Sequence, residues 1–250
     1  MFLPCVLLAA ALAAPPADAP PLQTILAGVI ARDAQTQREL KGMAYDEHVH
    51  TERLDAQGKP TQHQDLQLVV RPGAKPELQV VSVKGDNLPT DPDEAARQAA
   101  GKETQRRQQS FDLKEIATRF NLTLLGVSSD LGPKTYVVGF EPKPGQPYRS
   151  QTEKVLNQLH GRIWIRASDD TILRTEATLA QPVQVAWIFA SLTKLDFHYE
   201  LPAGGSEYGP AWLETSVEIK APLIRIAQRQ RVDMTNFHPR TATPIAAARN

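Results

Sequence analysis

The spacing of apolar residues changes along the chain, and each change marks an element. Leu22, Ile25, Leu26, Val29 and Ile30 recur at intervals of three and four. An α-helix turns every 3.6 residues, so these side chains form one stripe, and the spacing predicts an amphipathic helix over 22–40 with a polar far end around Ala34–Arg38. After Gly42 the period drops to two. Ala44–Leu54, 66–70 (LQLVV) and 78–84 (LQVVSVK) read as strands, with 55–65 as a hairpin-like loop and Arg71-Pro72-Gly73 as a stop.

Residues 86–110 break this pattern. Asp91-Pro92-Asp93-Glu94 is a helix start with acids in the first turn. From Ala95 to Gln109 the chain is rich in Ala, Gln and Arg with almost no large apolar residue, which predicts a solvated helix. Its basic run, Lys102, Arg106 and Arg107, reads as a wet face rather than a binding patch. Phe111, Leu113, Ile116, Ala117 and Phe120 follow at helical spacing and predict a short helix packed on the core.

From residue 122 the chain is strand-rich: 122–128, 135–142, 161–167, 172–180, 197–201, 212–220 and 223–237. Short turns separate these segments and favour antiparallel neighbours, so the run predicts one sheet, strongly curved or closed, rather than alternating βα units. Alternation assigns the faces. Ile163 and Ile165 share one face, as do Leu173, Ala177 and Leu179, and Leu213, Val217 and Ile219. Arg162, Trp164 and Arg166, Arg174 and Glu176, and Trp212, Glu214 and Glu218 take the other. An aliphatic face of this size must be covered, and the apolar helices at 22–31 and 111–120 are the available lids.

Composition narrows the class. Lys plus Arg and Asp plus Glu balance at 28 each, so no whole-molecule field draws the chain to nucleic acid. Residues 1–14 carry an apolar run from Val6 to Ala14, shorter than the roughly 20 residues that span a bilayer as a helix. Small residues and Ala17-Asp18-Ala19 follow, so 1–19 reads as a secretory signal peptide. Its removal leaves a mature chain without cysteine, since Cys5 is the only one, and without a transmembrane segment. That places the mature protein in the periplasm or outside the cell. The main domain is then 20–237, with a polar helical insertion at about 88–110, and 238–250 reads as a disordered tail.

No motif for catalysis is present: there is no G-x-S-x-G, H-E-x-x-H, phosphate-binding loop or dinucleotide fingerprint. The chain therefore reads as non-enzymatic and free of cofactors. Asp46, His48, His50 and Glu52 alternate along a strand and project from one face, which makes His48 and His50 candidate metal ligands. A solvated polar strand is the ordinary alternative. His63, His160, His198 and His238 are scattered, Asp169 and Asp170 suit a hairpin turn, and Trp187, Phe189, Phe197 and Tyr199 read as aromatic packing.

The stretches YVVGFEPKP, KVLNQLHGRIWIRASDDTILRTEATL, LTKLDFHYEL and AWLETSVEIKAPLIRIAQRQRVDMTNF, between 136 and 237, are similar to bacterial proteins of the LolA/LolB-like lipoprotein-carrier superfamily. The recurrent part is Gly161–Ile165, the acidic turn Asp169-Asp170 and Ile172–Glu176, with Trp212-Leu213-Glu214 carrying Glu where a Pro is expected. The resemblance implies a mainly β (α+β) fold: a single curved antiparallel sheet forming an unclosed β-barrel, its concave apolar face covered by helices. It also implies a cell-envelope protein that binds a lipid or lipoprotein acyl chain, against Ile163, Ile165, Leu173, Leu179, Leu213, Val217 and Ile219. The alternative expectation is an envelope interaction module with a filled core and a protein partner.

Overall fold

The computed structural model describes residues 19–73, 76–107, 117–132, 134–186, 190–201 and 211–239. The strands are β1 (Met43–Leu54), β2 (Pro60–Arg71), β3 (Glu77–Gly85), β4 (Phe120–Ser128), β5 (Thr135–Pro142), β6 (Leu159–Arg166), β7 (Ile172–Leu179), β8 (Val183–Ala186), β9 (Ala190–Glu200), β10 (Ala211–Ala221) and β11 (Ile224–Pro239). Among the described residues the helices α1 (Leu22–Leu40), α2 (Pro92–Arg107) and α3 (Gln151–Leu156) accompany them, and 117–119 are helical just before β4.

All strands belong to one antiparallel sheet in the order β3-β2-β1-β11-β10-β9-β7-β6-β5-β4, with β8 folded back on β9. Two meanders build it. β1–β3 form the first and β4–β11 the second, and β11 returns to lie against β1, opposing Val232 to Val49. Among the described residues β3 and β4 remain as unjoined edges, so the barrel is open. The mainly β, unclosed architecture expected from the sequence is the one observed.

Register defines two faces, because directly opposed residues share a side of the sheet. One row of partners runs Val138, Ile163, Thr175, Tyr199, Leu213, Val232, Val49 and Leu66. Both long helices lie on this side. Ile25 and Val29 of α1 pack with Tyr136, Val138 and Ile165. Ala99 of α2 packs among Val49, Leu66, Leu68, Val70 and Val232. The next row, Val137, Trp164, Arg174, Glu200, Trp212, Asp233, His48 and Gln67, faces the other way and is mostly polar.

Several local expectations are corrected. The 55–65 segment is not all loop, because β2 starts at Pro60. Its early residues Gln62, His63 and Asp65 are polar and so lack apolar alternation, yet they pair with β1. Phe120 opens β4 rather than closing a helix, stacking edge-on against Phe140 at 5.3 Å. Residues 111–116, where that helix was expected, lie outside the described residues, as do 1–18, Trp187, Phe189 and 240–250. α3 was not expected. Its signal is Ser150-Gln-Thr-Glu153, a capping pattern in which the Ser150 side chain accepts from the Glu153 backbone N–H.

Bulges also reset the alternation. One falls between Trp164 and Ile165 in the β6–β7 pairing. Leu173 consequently packs with Val137, Trp164 and Leu201, in a cluster separate from that of Ile165.

Candidate functional site

A cavity of about 390 Å³ lies on the inner face beneath α2. Its floor is β1, β2, β3 and β11, its roof is α2, and the 87–89 connection forms one end. The floor offers Val49, Leu66 and Val83, while Gln64, Gln98, Gln105, Gln228 and Gln230 line it with amides. Lys102 contributes a cation from the helix. Such a site has an apolar base and hydrogen-bonding walls, the combination that fixes the orientation of an amphiphilic ligand.

α2 has no apolar stripe, so the reason it docks must be sought elsewhere. Ala95 and Ala99 are small enough to let the helix approach the sheet. The hold is ionic. Glu47 projects inward from β1 and is only 2% exposed, and Glu103 of α2 is 3% exposed. The Arg106 guanidinium donates to Glu47 Oε1 at 2.7 Å and to Glu103 Oε2 at 2.7 Å. Arg107 donates to the second Glu47 oxygen and, at 2.9 Å, to the Tyr45 hydroxyl. Tyr45 in turn stacks on Phe237 at 4.9 Å.

Two carboxylates thus face two guanidiniums away from water. Arginine suits this role because its planar fork serves several acceptors at once. Burial raises the Glu47 pKa to about 7, helped by the Glu103 carboxylate and opposed by Arg107 and Arg106. The expectation of a wet basic face on this helix is corrected at Arg106 and Arg107, which are half-buried anchors; Lys102 is exposed.

The outer face carries a second, shallower groove of about 410 Å³ over β6, β7, β9 and β10. His160, Arg162, Glu176, Asp196, His198 and Glu214 line it. Beside it Trp212 is sandwiched, with the His198 ring stacked at 4.5 Å and the Arg231 guanidinium 4.4 Å from its ring centre. These contacts are between neighbouring strands and account for the aromatic residues on a charged face.

The sequence-derived candidates are placed as follows. His48 and His50 do share the outer face, and both turn to one acceptor: Asp65 Oδ1 lies 3.0 Å from His48 Nε2 and 2.9 Å from His50 Nδ1. The Asp65 bond raises the His50 pKa. Glu52 approaches His50 Nε2 at 3.6 Å, and Asp46 accepts from Asn236. Among the described residues no group of three or more His, Cys, Asp or Glu is arranged to hold a metal ion.

Of the expected apolar contacts, Ile165 and Leu173 are fully buried, and Ile163 packs beneath α1. Leu179 joins the cluster around Phe120, Phe140 and Leu156. Leu213 packs beside Val232, and Val217 and Ile219 are half-buried on β10. None of these lines the cavity under α2. Register nevertheless joins the two regions, since Val217 opposes Gln228 and Thr215 opposes Gln230. The cavity and its ionic anchor were not foreseen. Their sequence trace is an acid, Glu47, within an otherwise ordinary strand and a pair of arginines 59 and 60 positions later.

No protein-family model matches the chain, and no curated protein does. Among solved structures, a DUF1329 family protein from Desulfovibrio piger ATCC 29098 aligns at 12% identity and a TM-score of 0.33, covering 90% of this chain and 95% of that one. MucB, solved in complex with MucA(peri), aligns at 10% identity and a TM-score of 0.27, covering 87% and 100%. Both likenesses concern the outline of the fold, and no residue role passes from either to this chain. The fold itself is an open antiparallel half-barrel with helices on its inner face. Among the described residues no helix is long and apolar enough to cross a membrane.

Proposed function

We propose that this is a non-enzymatic binding protein of the cell envelope that holds an amphiphile with one acyl chain. The polar end occupies the amide-lined cavity beneath α2. The chain lies along the inner face toward Val217, Leu213 and Phe197. The observation that carries this reading is the continuity of an apolar-floored cavity with half-buried apolar residues on β9 and β10. Each CH₂ removed from water contributes ~0.8 kcal/mol, so a single acyl chain supplies most of the affinity. Ile163 and Ile165 sit under α1 and act as its packing partners, leaving the central and α2-covered parts of the face for the ligand.

The test is native mass spectrometry of protein purified from a periplasmic extract, followed by titration with a fluorescent fatty acid. Saturable uptake that falls in a Val49→Trp variant, whose indole fills the cavity, supports the proposal. Protein that is ligand-free and takes up no probe sinks it. The second reading is an interaction module, favoured by the degree to which α1 already fills its half of the face. In that case specific capture of one envelope protein accompanies the absence of lipid.

A further inference from the structure

The end of the β10–β11 hairpin is apolar and almost wholly in water. β10 and β11 are joined tightly, with Ala221 opposing Ile224 across Pro222 and Leu223. Leu223 is 97% exposed, Ile224 59% and Ile226 41%. Scattered exposed apolar residues need no explanation, but a large aliphatic cluster at the point of a rigid hairpin does.

The surroundings indicate the partner. From Ile219 to Arg231 the chain contains Lys220, Arg225, Arg229 and Arg231, which the sheet sets against fewer acids: Arg229 pairs with Glu52 at 3.3 Å and Arg231 with Asp233 at 2.9 Å. The flanking Glu218 is already engaged, by Lys220 at 2.9 Å and by Arg225. These bonds hold its carboxyl at a pKa of about 2. Arg225 also donates to the Asp55 carbonyl at 2.6 Å, tying the β1–β2 turn and its Lys59 alongside the tip.

We propose that this hairpin tip docks the protein on an anionic lipid surface. Leu223 and Ile224 enter the acyl boundary while the basic side chains meet the headgroups. A narrow convex point is a poor core for a protein interface, which requires a broad complementary patch, whereas a bilayer closes around it. The tip stands at the cavity end of the sheet: Gln228 of the cavity is five residues along β11 from Leu223, a rise of about 17 Å. Docking there brings the cavity close to lipid.

The inference rests on the tip itself rather than on the ligand reading, and co-sedimentation with vesicles separates the two. Full-length protein is mixed with phosphatidylcholine vesicles with or without phosphatidylglycerol. Wild type is expected to bind the anionic vesicles more strongly, and a Leu223→Asp/Ile224→Asp variant to lose about tenfold in affinity with an unchanged thermal melt. Both proteins carry the same N-terminal segment, so the difference reports the tip. A Lys220→Gln/Arg229→Gln variant is expected to lose the preference for phosphatidylglycerol. In a Leu223→Trp variant, brominated lipid is expected to quench the added indole. Equal binding by the Asp variant, or no vesicle binding by wild type, overturns the proposal. Fatty-acid uptake that persists when vesicle binding is lost identifies the tip alone as the membrane contact. Vesicle binding without uptake removes the ligand reading and leaves the tip.

Discussion

Glu47 shows how much one residue can decide. It stands between Asp46 and His48 in a polar run, and only its direction into the sheet separates it from them. Removing its carboxylate leaves the half-buried Arg106 and Arg107 guanidiniums with one shared carboxylate, Glu103, in place of two, so Glu47→Ala is expected to destabilise the fold by about 3 kcal/mol in urea unfolding. Its titration has a definite sign. The folded pKa, about 7, lies above the ordinary 4.5, so between these values the native state holds a proton that the unfolded chain has released. Glu47 therefore favours folding most below pH 4.5, and that contribution is lost as pH rises through 7. His50, also raised, acts in the same direction, so thermal melts from pH 5 to 8 should be compared with Glu47→Gln, in which the Glu47 part of the slope disappears. Gly161 is a second decisive position. A Cβ there would sit 1.9 Å from the Glu176 carbonyl and 2.7 Å from the Phe140 ring. Gly161→Ala is expected to cost about 2 kcal/mol or more, measured by the shift in urea midpoint.

Among the elements, α1 and α2 contrast in how they are specified. α1 was readable end to end, because its stripe has the helical period and packs on the face that needs cover. α2 was readable as a helix from Pro92-Asp93-Glu94, but its docking was not, because nothing in a run of Ala, Gln and Arg identifies the partner of its charges. If the ionic cluster is the anchor, Arg106→Gln/Arg107→Gln should release the helix while the sheet persists. Hydrogen exchange is expected to accelerate over 92–107 and remain slow in β10 and β11; uniform acceleration would instead mean global destabilisation. β8 and α3 escaped notice because four or six residues give too short a window for periodicity, leaving only a cap such as Ser150 as a signal.

For the molecule as a whole, the long-range pairing of β11 with β1 is the governing feature. It joins two meanders into one curved surface and brings Gln228 and Gln230 from near one end of the chain beside Val49 and Gln64 from near the other. The cavity exists only because of that seam and the helix across it. If it binds an acyl ligand, saturating ligand should raise the melting temperature of wild type and leave Val49→Trp unmoved, since only a ligand that binds the folded state shifts the equilibrium.

The sequence alone determined the strand-rich second half, the antiparallel connections, the aliphatic and charged faces, and α1, because these follow from local periodicity and short turns. The tertiary structure alone decided where the sheet stays open, how bulges redirect Leu173, and which acid meets Arg106 and Arg107. These depend on pairings between residues far apart in the chain, where register and desolvation, rather than any local pattern, select the partner.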